Sequence, residues 1–142
     1  MGIRNSEGYM DLVPYKAISN IDREMKAVIN AAFRPLVYIC APVSGAIERN
    51  KKRATEFAAF AYKNGCIPMT PHLLFPFMDD GKVEERVIAL HMDMVLMGKC
   101  KEVWVLSGNG ITPGMHNEIK KATSWGKNIR YFNNDFTEVE CL

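Results

Sequence analysis

Four short apolar runs alternate along the chain with three segments of helical periodicity. The apolar runs are Leu36–Cys40, residues 66–70, Glu102–Leu106 and Asn128–Phe132. Strands that are apolar throughout are typical of parallel sheets covered by helices on both faces, and the crossovers between such strands are right-handed. The pattern predicts an α/β fold, a small doubly wound, flavodoxin- or Rossmann-like parallel sheet of about four strands in the order 2-1-3-4.

The predicted helices repeat apolar residues every three or four positions over residues 46–64, 83–99 and 113–125. An extra N-terminal helix is predicted to begin at Ser19 or Asn20 and to end before Pro35. Residues 1–18 show no periodicity and are expected to form an irregular arm. At 142 residues the chain has the length of one domain, so residues 19–142 are predicted to form a single α/β domain.

Composition narrows the class of partner. The 18 basic and 16 acidic residues give a net charge of +2 without a basic patch, which disfavours a nucleic acid polymer and favours a small molecule. The four cysteines are far apart and form no Cys-x-x-Cys pair, so we expect reduced thiols and no metal site. No apolar segment has the length of a membrane span or of a signal peptide, and a cytoplasmic protein without membrane contact is expected.

Ligands of such sheets bind beyond the carboxyl ends of the strands. The first strand is followed there by Ser44 and Gly45, just before a helix whose amino end would favour an anionic or hydroxyl-rich ligand. A capping turn without any ligand explains these two residues about as well. Since the loop lacks both Gly-x-Gly-x-x-Gly and Gly-Lys-Ser/Thr, binding of NAD or ATP is disfavoured, and we expect no cofactor.

The loop after the third strand is rich in glycine and ends at a carboxylate, Glu118. Its candidate binding residues are Ser107, Gly108, Gly110, Thr112 and Gly114. Glycines let the backbone approach a ligand closely. A carboxylate near a helix start is expected to remain ionised, which suits a nucleophile or a group that stabilises a sugar cation. The alternative is an ordinary surface charge.

Asp93 and His72 are two further candidates. Asp93 lies in a mostly apolar stretch of the helix before the third strand, where a raised pKa would suit a proton donor to a leaving base. An exposed charge on an amphipathic helix is an equally good interpretation. His72 follows the second strand and could bind a hydroxyl or a phosphate, although a lone histidine at a strand end is more often structural.

The order of these motifs resembles the nucleoside 2-deoxyribosyltransferase superfamily over residues 36–132. The matching segments are Val37-Tyr-Ile-Cys-Ala-Pro-Val-Ser-Gly45, Asp93, Gly110-Ile-Thr-Pro-Gly-Met-His-Asn-Glu118 and Gly126-Lys-Asn-Ile129. Pro71-His-Leu-Leu-Phe-Pro76 and Glu85-Arg86 resemble still more closely an uncharacterised bacterial and phage branch related to it.

The resemblance implies roles for three individual candidates and for the glycine-rich turns. Glu118 would attack the anomeric carbon and Asp93 would assist the departing base, with Tyr38 as the tyrosine that the family has near the end of its first strand. The glycine-rich turns, up to Met115, would hold the sugar and its 5′ substituent. Thr112 is closer to the family's nucleotide hydrolases, which have serine there, than to the transferases, many of which have aspartate.

The function favoured by the sequence is cleavage or transfer at the N-glycosidic bond of a nucleoside or nucleotide. The alternative on the same fold is a non-catalytic module that binds or senses a nucleotide or an ADP-ribose derivative, and a purely structural protein is a third possibility. Because members of the family complete their sites with a neighbouring subunit, the resemblance also implies a homo-oligomer.

Overall fold

The computed structural model describes residues 20–27, 34–79 and 81–140. It divides into two compact units, Met1–Phe33 and Arg34–Leu142. In the first unit, residues 20–27 form helix α1. The predicted arm and the remainder of the predicted N-terminal helix lie outside the described residues.

The second unit is built on one five-stranded sheet. Its strands are β1 Leu36–Cys40, β2 Ile67–Met69, β3 Glu102–Leu106, β4 Asn128–Phe132 and β5 Glu138–Val139. They lie in the order β2-β1-β3-β4-β5, and all neighbours are parallel except β4 and β5. The predicted α/β class and the parallel order 2-1-3-4 are therefore confirmed, and an antiparallel edge strand is added to them.

Helices cover both faces of this sheet. They are α2 Ile47–Lys63, α3 Val83–Lys99 and α4 Pro113–Ser124, and a single 3₁₀ turn spans Pro71–Leu73. Alternate residues of a strand point to opposite faces. One set packs with the buried side of α2 through Val37, Ile39, Trp104, Leu106 and Phe132. The other packs with α3 and α4 through Tyr38, Cys40, Val103 and Val105.

Three of the cysteines belong to these cores. Cys40, Cys66 and Cys100 are buried and free, as the sequence predicted, whereas Cys141 lies outside the described residues. Among the described residues, no helix is both long enough and apolar enough to cross a membrane. The carboxyl ends of the parallel strands bring the loops that follow β1, β2 and β3 to one edge of the sheet, where the candidate residues collect.

Candidate active site

A cavity of about 700 Å³ opens at this edge of the sheet. Its walls are the loop after β1 with the first turns of α2, the turn after β2, one face of α3 and the start of α4. Nine of the residues predicted from the sequence line it: Tyr38, Ser44, Gly45, His72, Asp93, Thr112, Gly114, Met115 and Glu118. The structure therefore brings candidates from five separate stretches of sequence into one site.

Two carboxylates and a phenol share the part of the cavity next to the sheet. Tyr38 is the third residue of β1 and points to the face covered by α3 and α4. Asp93 comes from α3 and Glu118 from the second turn of α4, and the charge of Asp93 acts on both Glu118 and Tyr38. Because both carboxylates line one cavity and interact, they are placed to act on a single ligand.

Glu118 is not the plainly ionised group that its position in the sequence suggested. Burial raises the pKa of Glu118 to about 7, a hydrogen bond from Tyr38 opposes that rise, and the charge of Asp93 adds to it. The dipole of α4 does not prevent this, because Glu118 is the sixth residue of a helix that begins at Pro113 and the dipole acts mainly within the first turn. The expectation that Glu118 stays fully ionised at neutral pH is therefore wrong.

Tyr38 is fully buried beside this pair. Burial, followed by the nearby charges of Glu118 and Asp93, raises the pKa of Tyr38 well above its usual range, so its hydroxyl keeps its hydrogen. No hydrogen bond of standard geometry reaches that hydroxyl from the described residues. Glu118 nevertheless lies close enough for the hydroxyl to lower the carboxyl's pKa, and we regard this attraction as a loose hydrogen bond that Tyr38 donates.

Cys40 is the other potentially reactive group close to Glu118. Burial first and the charge of Glu118 second raise the pKa of the Cys40 thiol well above its usual value. The thiol lies 3.9 Å from the carbonyl oxygen of Met115. A neutral, buried thiol is a poor nucleophile, so Glu118 is the better candidate for that role.

His72 joins two of the loops that form the cavity. Its Nε2 lies 3.0 Å from the carbonyl oxygen of Ala41, and burial lowers the pKa of His72, so the ring is neutral at pH 7. Because a carbonyl oxygen can only accept, Nε2 carries the ring hydrogen and donates it. His72 therefore links the turn after β2 to the loop after β1, in addition to lining the cavity.

The start of α4 is held by Thr112. Its Oγ1 accepts a hydrogen bond from the Met115 amide at 3.2 Å, and Pro113 occupies the first helical position, where a missing N–H costs nothing. At Gly114 the nearest atom to an added methyl group would be the Thr112 hydroxyl, 4.0 Å away. This cap fixes where α4 begins and hence where Glu118 enters the cavity.

The three remaining predicted residues do not line the cavity. The Ser107 amide and Oγ both donate to the carbonyl of Phe132, at 2.8 and 3.2 Å. A methyl group on Gly108 would lie 2.6 Å from the Asn134 amide nitrogen, and Gly110 has a φ of +93°. The structure thus packs Ser107 and Gly108 toward the end of β4 and the loop after it, while Gly110 adopts the left-handed conformation of the turn between β3 and α4.

Several lining residues were not assigned a role from the sequence. On α3, Arg86, Leu90 and Asp93 recur at the four- and seven-residue spacing of one helix face, and on α2 Lys51 follows Ile47 by four. No role at the site was predicted for Arg86 from the sequence. The helical spacing of seven residues between Arg86 and Asp93 would have placed Arg86 on the same face of α3. The spacing of four residues between Ile47 and Lys51 would have placed Lys51 on the same face of α2 as Ile47.

A second, more open depression of about 440 Å³ lies between β4 and β5. Its guanidinium, on Arg130, is already engaged by Glu138 at 2.8 and 3.0 Å and by Glu102 at 3.5 Å. None of the candidate residues lines it. We therefore place the site at the larger cavity.

The structure is similar to two 2-deoxyribosyltransferases. The enzyme from Bacillus psychrosaccharolyticus superposes with a TM-score of 0.60 and 17% identity, over 75% of this chain and 77% of that one. The enzyme from Leishmania mexicana gives a TM-score of 0.52 and 17% identity, over 70% of this chain and 64% of that one. A CMP N-glycosidase from Clostridium botulinum gives a TM-score of 0.45 and 20% identity, over 69% of this chain and 71% of that one. The predicted resemblance to this superfamily is confirmed for the fold.

No protein among those with curated descriptions matches the sequence significantly. A family model does match, and it covers residues 35–132, which contain the whole parallel sheet and all the residues that line the cavity. Because this match covers more than half of the chain, the protein belongs to the family described as "Domain of unknown function (DUF7768)".

Proposed function

We propose that this protein cleaves or transfers the N-glycosidic bond of a nucleoside or nucleotide, with Glu118 as nucleophile and Asp93 as acid and base. The observation that carries the proposal is the placement of both carboxylates in one cavity, where the charge of one raises the pKa of the other. Two carboxyl groups on one ligand are what glycosidic chemistry uses. The similarity of fold to the 2-deoxyribosyltransferases agrees with this chemistry.

In the first step a carboxylate oxygen of Glu118 bonds to the anomeric carbon. The bond from that carbon to the base nitrogen breaks, and its electron pair stays on the nitrogen. In the reactive form of this coupled pair Glu118 is ionised and Asp93 carries the proton, which it gives to the base. The anomeric carbon becomes cationic during this exchange. A carboxylate that burial has stripped of water attracts such a charge strongly, because little solvent screens it.

In the second step the ester to Glu118 is broken. For hydrolysis, a water oxygen attacks the anomeric carbon, the electron pair returns to Glu118, and the proton released by the water passes to Asp93. For transfer, the nitrogen of a second base takes the place of water. Tyr38 donates to Glu118 throughout, since its hydroxyl does not ionise in this pH range.

The experiment is a release assay over a panel of ribo- and deoxyribonucleosides and their 5′-monophosphates, with base and sugar separated by chromatography. We expect release from one class of substrate, and a loss of about 10³-fold or more in Glu118→Ala, because the covalent route disappears. Asp93→Asn should lose about 10²-fold or more. Glu140→Gln, an exposed change outside the cavity, serves as the control.

Unchanged turnover in Glu118→Ala would refute the assignment of the nucleophile. Ligand binding without base release over the whole panel would instead favour the non-catalytic module that binds a nucleotide or an ADP-ribose derivative. In that case Glu118→Gln should keep the ligand affinity, since an amide has nearly the shape of the carboxyl.

We also propose that the protein is a homo-oligomer. On α3, Val83, Val87 and Leu90 are at least half exposed, at 64%, 58% and 51%, and they form an apolar stripe at helical spacing. Leu90 also lines the cavity, so a neighbouring subunit on this stripe would border the site. Light scattering of the full chain should give a mass above 16.1 kDa, and a monomer at high concentration would contradict the proposal.

A further inference from the structure

Two cationic side chains line the cavity in addition to its two carboxyl groups. They are Lys51 on α2 and Arg86 on α3. We propose that the site selects a phosphorylated ligand, a nucleoside 5′-monophosphate in preference to the nucleoside, and that Lys51 binds the phosphate. This inference names the substrate class of the proposed function, and it holds equally for a protein that binds nucleotides without cleaving them.

Lys51 is set apart from its basic neighbours by where it points. Ile47, Asn50 and Lys51 lie on one face of the first turns of α2, and this face lines the cavity. Lys51 is half-buried, and no carboxylate of the described residues lies within ion-pair distance of it. An unneutralised ammonium group inside a cavity attracts an anionic ligand with less screening than one on an open surface.

The two residues that follow Lys51 show the contrast. Lys52 is exposed and does not line the cavity. Arg53 is half-buried but already occupied, since it pairs with Glu56 at 2.7 Å and donates to the carbonyl of Asn134. Of this basic run, 51–53, Lys51 alone therefore presents a free positive charge to the ligand.

The loop beside Lys51 offers further donors. The Asn50 side chain donates to the carbonyls of Val43 and Ser44 at 3.2 and 2.8 Å. Since the N–H of a trans peptide points opposite to its carbonyl, the amides of Ser44 and Gly45 point away from Asn50. No described residue accepts from either amide. Gly45 has a φ of +92° and open space where a side chain would lie, so a ligand can approach its backbone.

The two cations come from helices that pack on opposite faces of the sheet. Arg86 and Asp93 lie on the same face of α3. Arg86 precedes Asp93 by seven residues, which is about 10 Å along the helix, so it belongs to the wall on which Asp93 would assist the departing base. Lys51 belongs to α2, which packs on the other face of the sheet. Because base and 5′-phosphate extend in different directions from the sugar, a base against α3 leaves the phosphate toward α2. This choice of Lys51 over Arg86 is testable.

The test measures binding and does not depend on turnover. Matched pairs of nucleoside and 5′-monophosphate, covering the common bases with ribose and deoxyribose, are titrated calorimetrically into Glu118→Gln at low and at physiological salt. We expect the monophosphate of the best-bound pair to bind at least about tenfold more tightly than the nucleoside, as one charge-assisted contact allows. Added Lys51→Gln should remove most of that ratio, and Lys52→Gln should keep it.

Three results would overturn the inference: equal affinity for nucleoside and monophosphate, no binding of any monophosphate, or a preference that survives Lys51→Gln. A preference lost in Arg86→Gln instead would place the phosphate on α3 and contradict the assignment equally. Inorganic phosphate should compete only weakly, because the sugar and base contacts are missing. Since base release is measured separately in the unsubstituted protein, failure of the proposed chemistry and failure of this phosphate site give different results.

Discussion

Replacing Glu118 by glutamine should make the fold more stable at alkaline pH than the unsubstituted chain. Burial, with the charge of Asp93 as a further cause, raises the pKa of Glu118 from 4.5 to about 7. Because the folded state holds this proton more tightly than the unfolded state, the group destabilises the fold progressively as the pH rises from about 4.5 to 7, and fully above that. The full effect is about 3 kcal/mol at pH 8, and it is absent below pH 4.5.

The assay is urea unfolding followed by tryptophan fluorescence. Both tryptophans, Trp104 and Trp125, belong to the unit Arg34–Leu142, so the signal reports on the unit that contains the cavity. The quantity to compare is the free energy of unfolding of Glu118→Gln minus that of the unsubstituted chain, at pH 4.5 and at pH 8. Any constant cost of placing an amide in the site cancels between the two values.

We expect this difference to rise by about 3 kcal/mol between the two pH values. The control Glu140→Gln, an exposed substitution, should stay within about 0.5 kcal/mol of the unsubstituted chain. A difference for Glu118→Gln that stays constant with pH, or one that falls, would refute the argument that burial disfavours the ionised carboxylate.

Two further predictions concern the groups around Glu118 and the turn before it. If the proposed reaction is found, kcat/KM of the unsubstituted protein should rise with pH through about 7 as Glu118 ionises. Tyr38→Phe should move that rise to higher pH, because a hydrogen bond that lowers the pKa of Glu118 is lost, and a move to lower pH would contradict this. Gly108→Ala should lower the free energy of unfolding in urea by about 1–3 kcal/mol, because the added methyl group meets Asn134. Gly114→Ala, where the methyl group has room, should change it by less than about 1 kcal/mol. Equal effects of the two substitutions would show that the contact between Gly108 and Asn134 does not matter for stability.

Much of the sheet could be predicted because its two central strands, β1 and β3, are buried on both faces. The bounds of β1, β3 and β4 agree with the apolar runs, and α3 begins and ends where its periodicity does. The run at 66–70 shortens to β2 Ile67–Met69. The edge strand β5 has only two residues, which is too short for a pattern in the sequence. It is recognised in the structure by its antiparallel pairing with β4.

The location of the cavity was predictable from the sequence, but its electrostatics were not. Parallel strands end at one edge, so the loops after β1, β2 and β3 had to meet there, and the helical register carried Asp93 and Glu118 toward them. How deeply Glu118 is buried depends on the packing of α4 against Tyr38 and α3, which no local pattern encodes. The same is true of Lys51, which is one lysine in a basic run until α2 is placed on the sheet.

In the loop after β3, three residues that were predicted to bind a ligand do not line the cavity. The glycines and Ser107 of this loop suggested a cradle for a ligand, yet the structure packs Ser107 and Gly108 toward β4 and the loop after it, while Gly110 adopts the left-handed conformation of a turn. A glycine-rich segment indicates close approach of backbone, but the sequence does not say whether a ligand or another loop makes that approach.

The most direct test of the central claim is the covalent intermediate itself. The chain is incubated with the substrate found in the release assay, quenched with acid, and analysed by intact mass and then by peptide mapping. We predict an added mass equal to the sugar portion of the substrate, localised to Glu118, and its absence in Glu118→Gln. Rapid base release with no adduct under conditions where breakdown of the ester is slowed, or an adduct on any other residue, would contradict the assignment of Glu118 as the nucleophile.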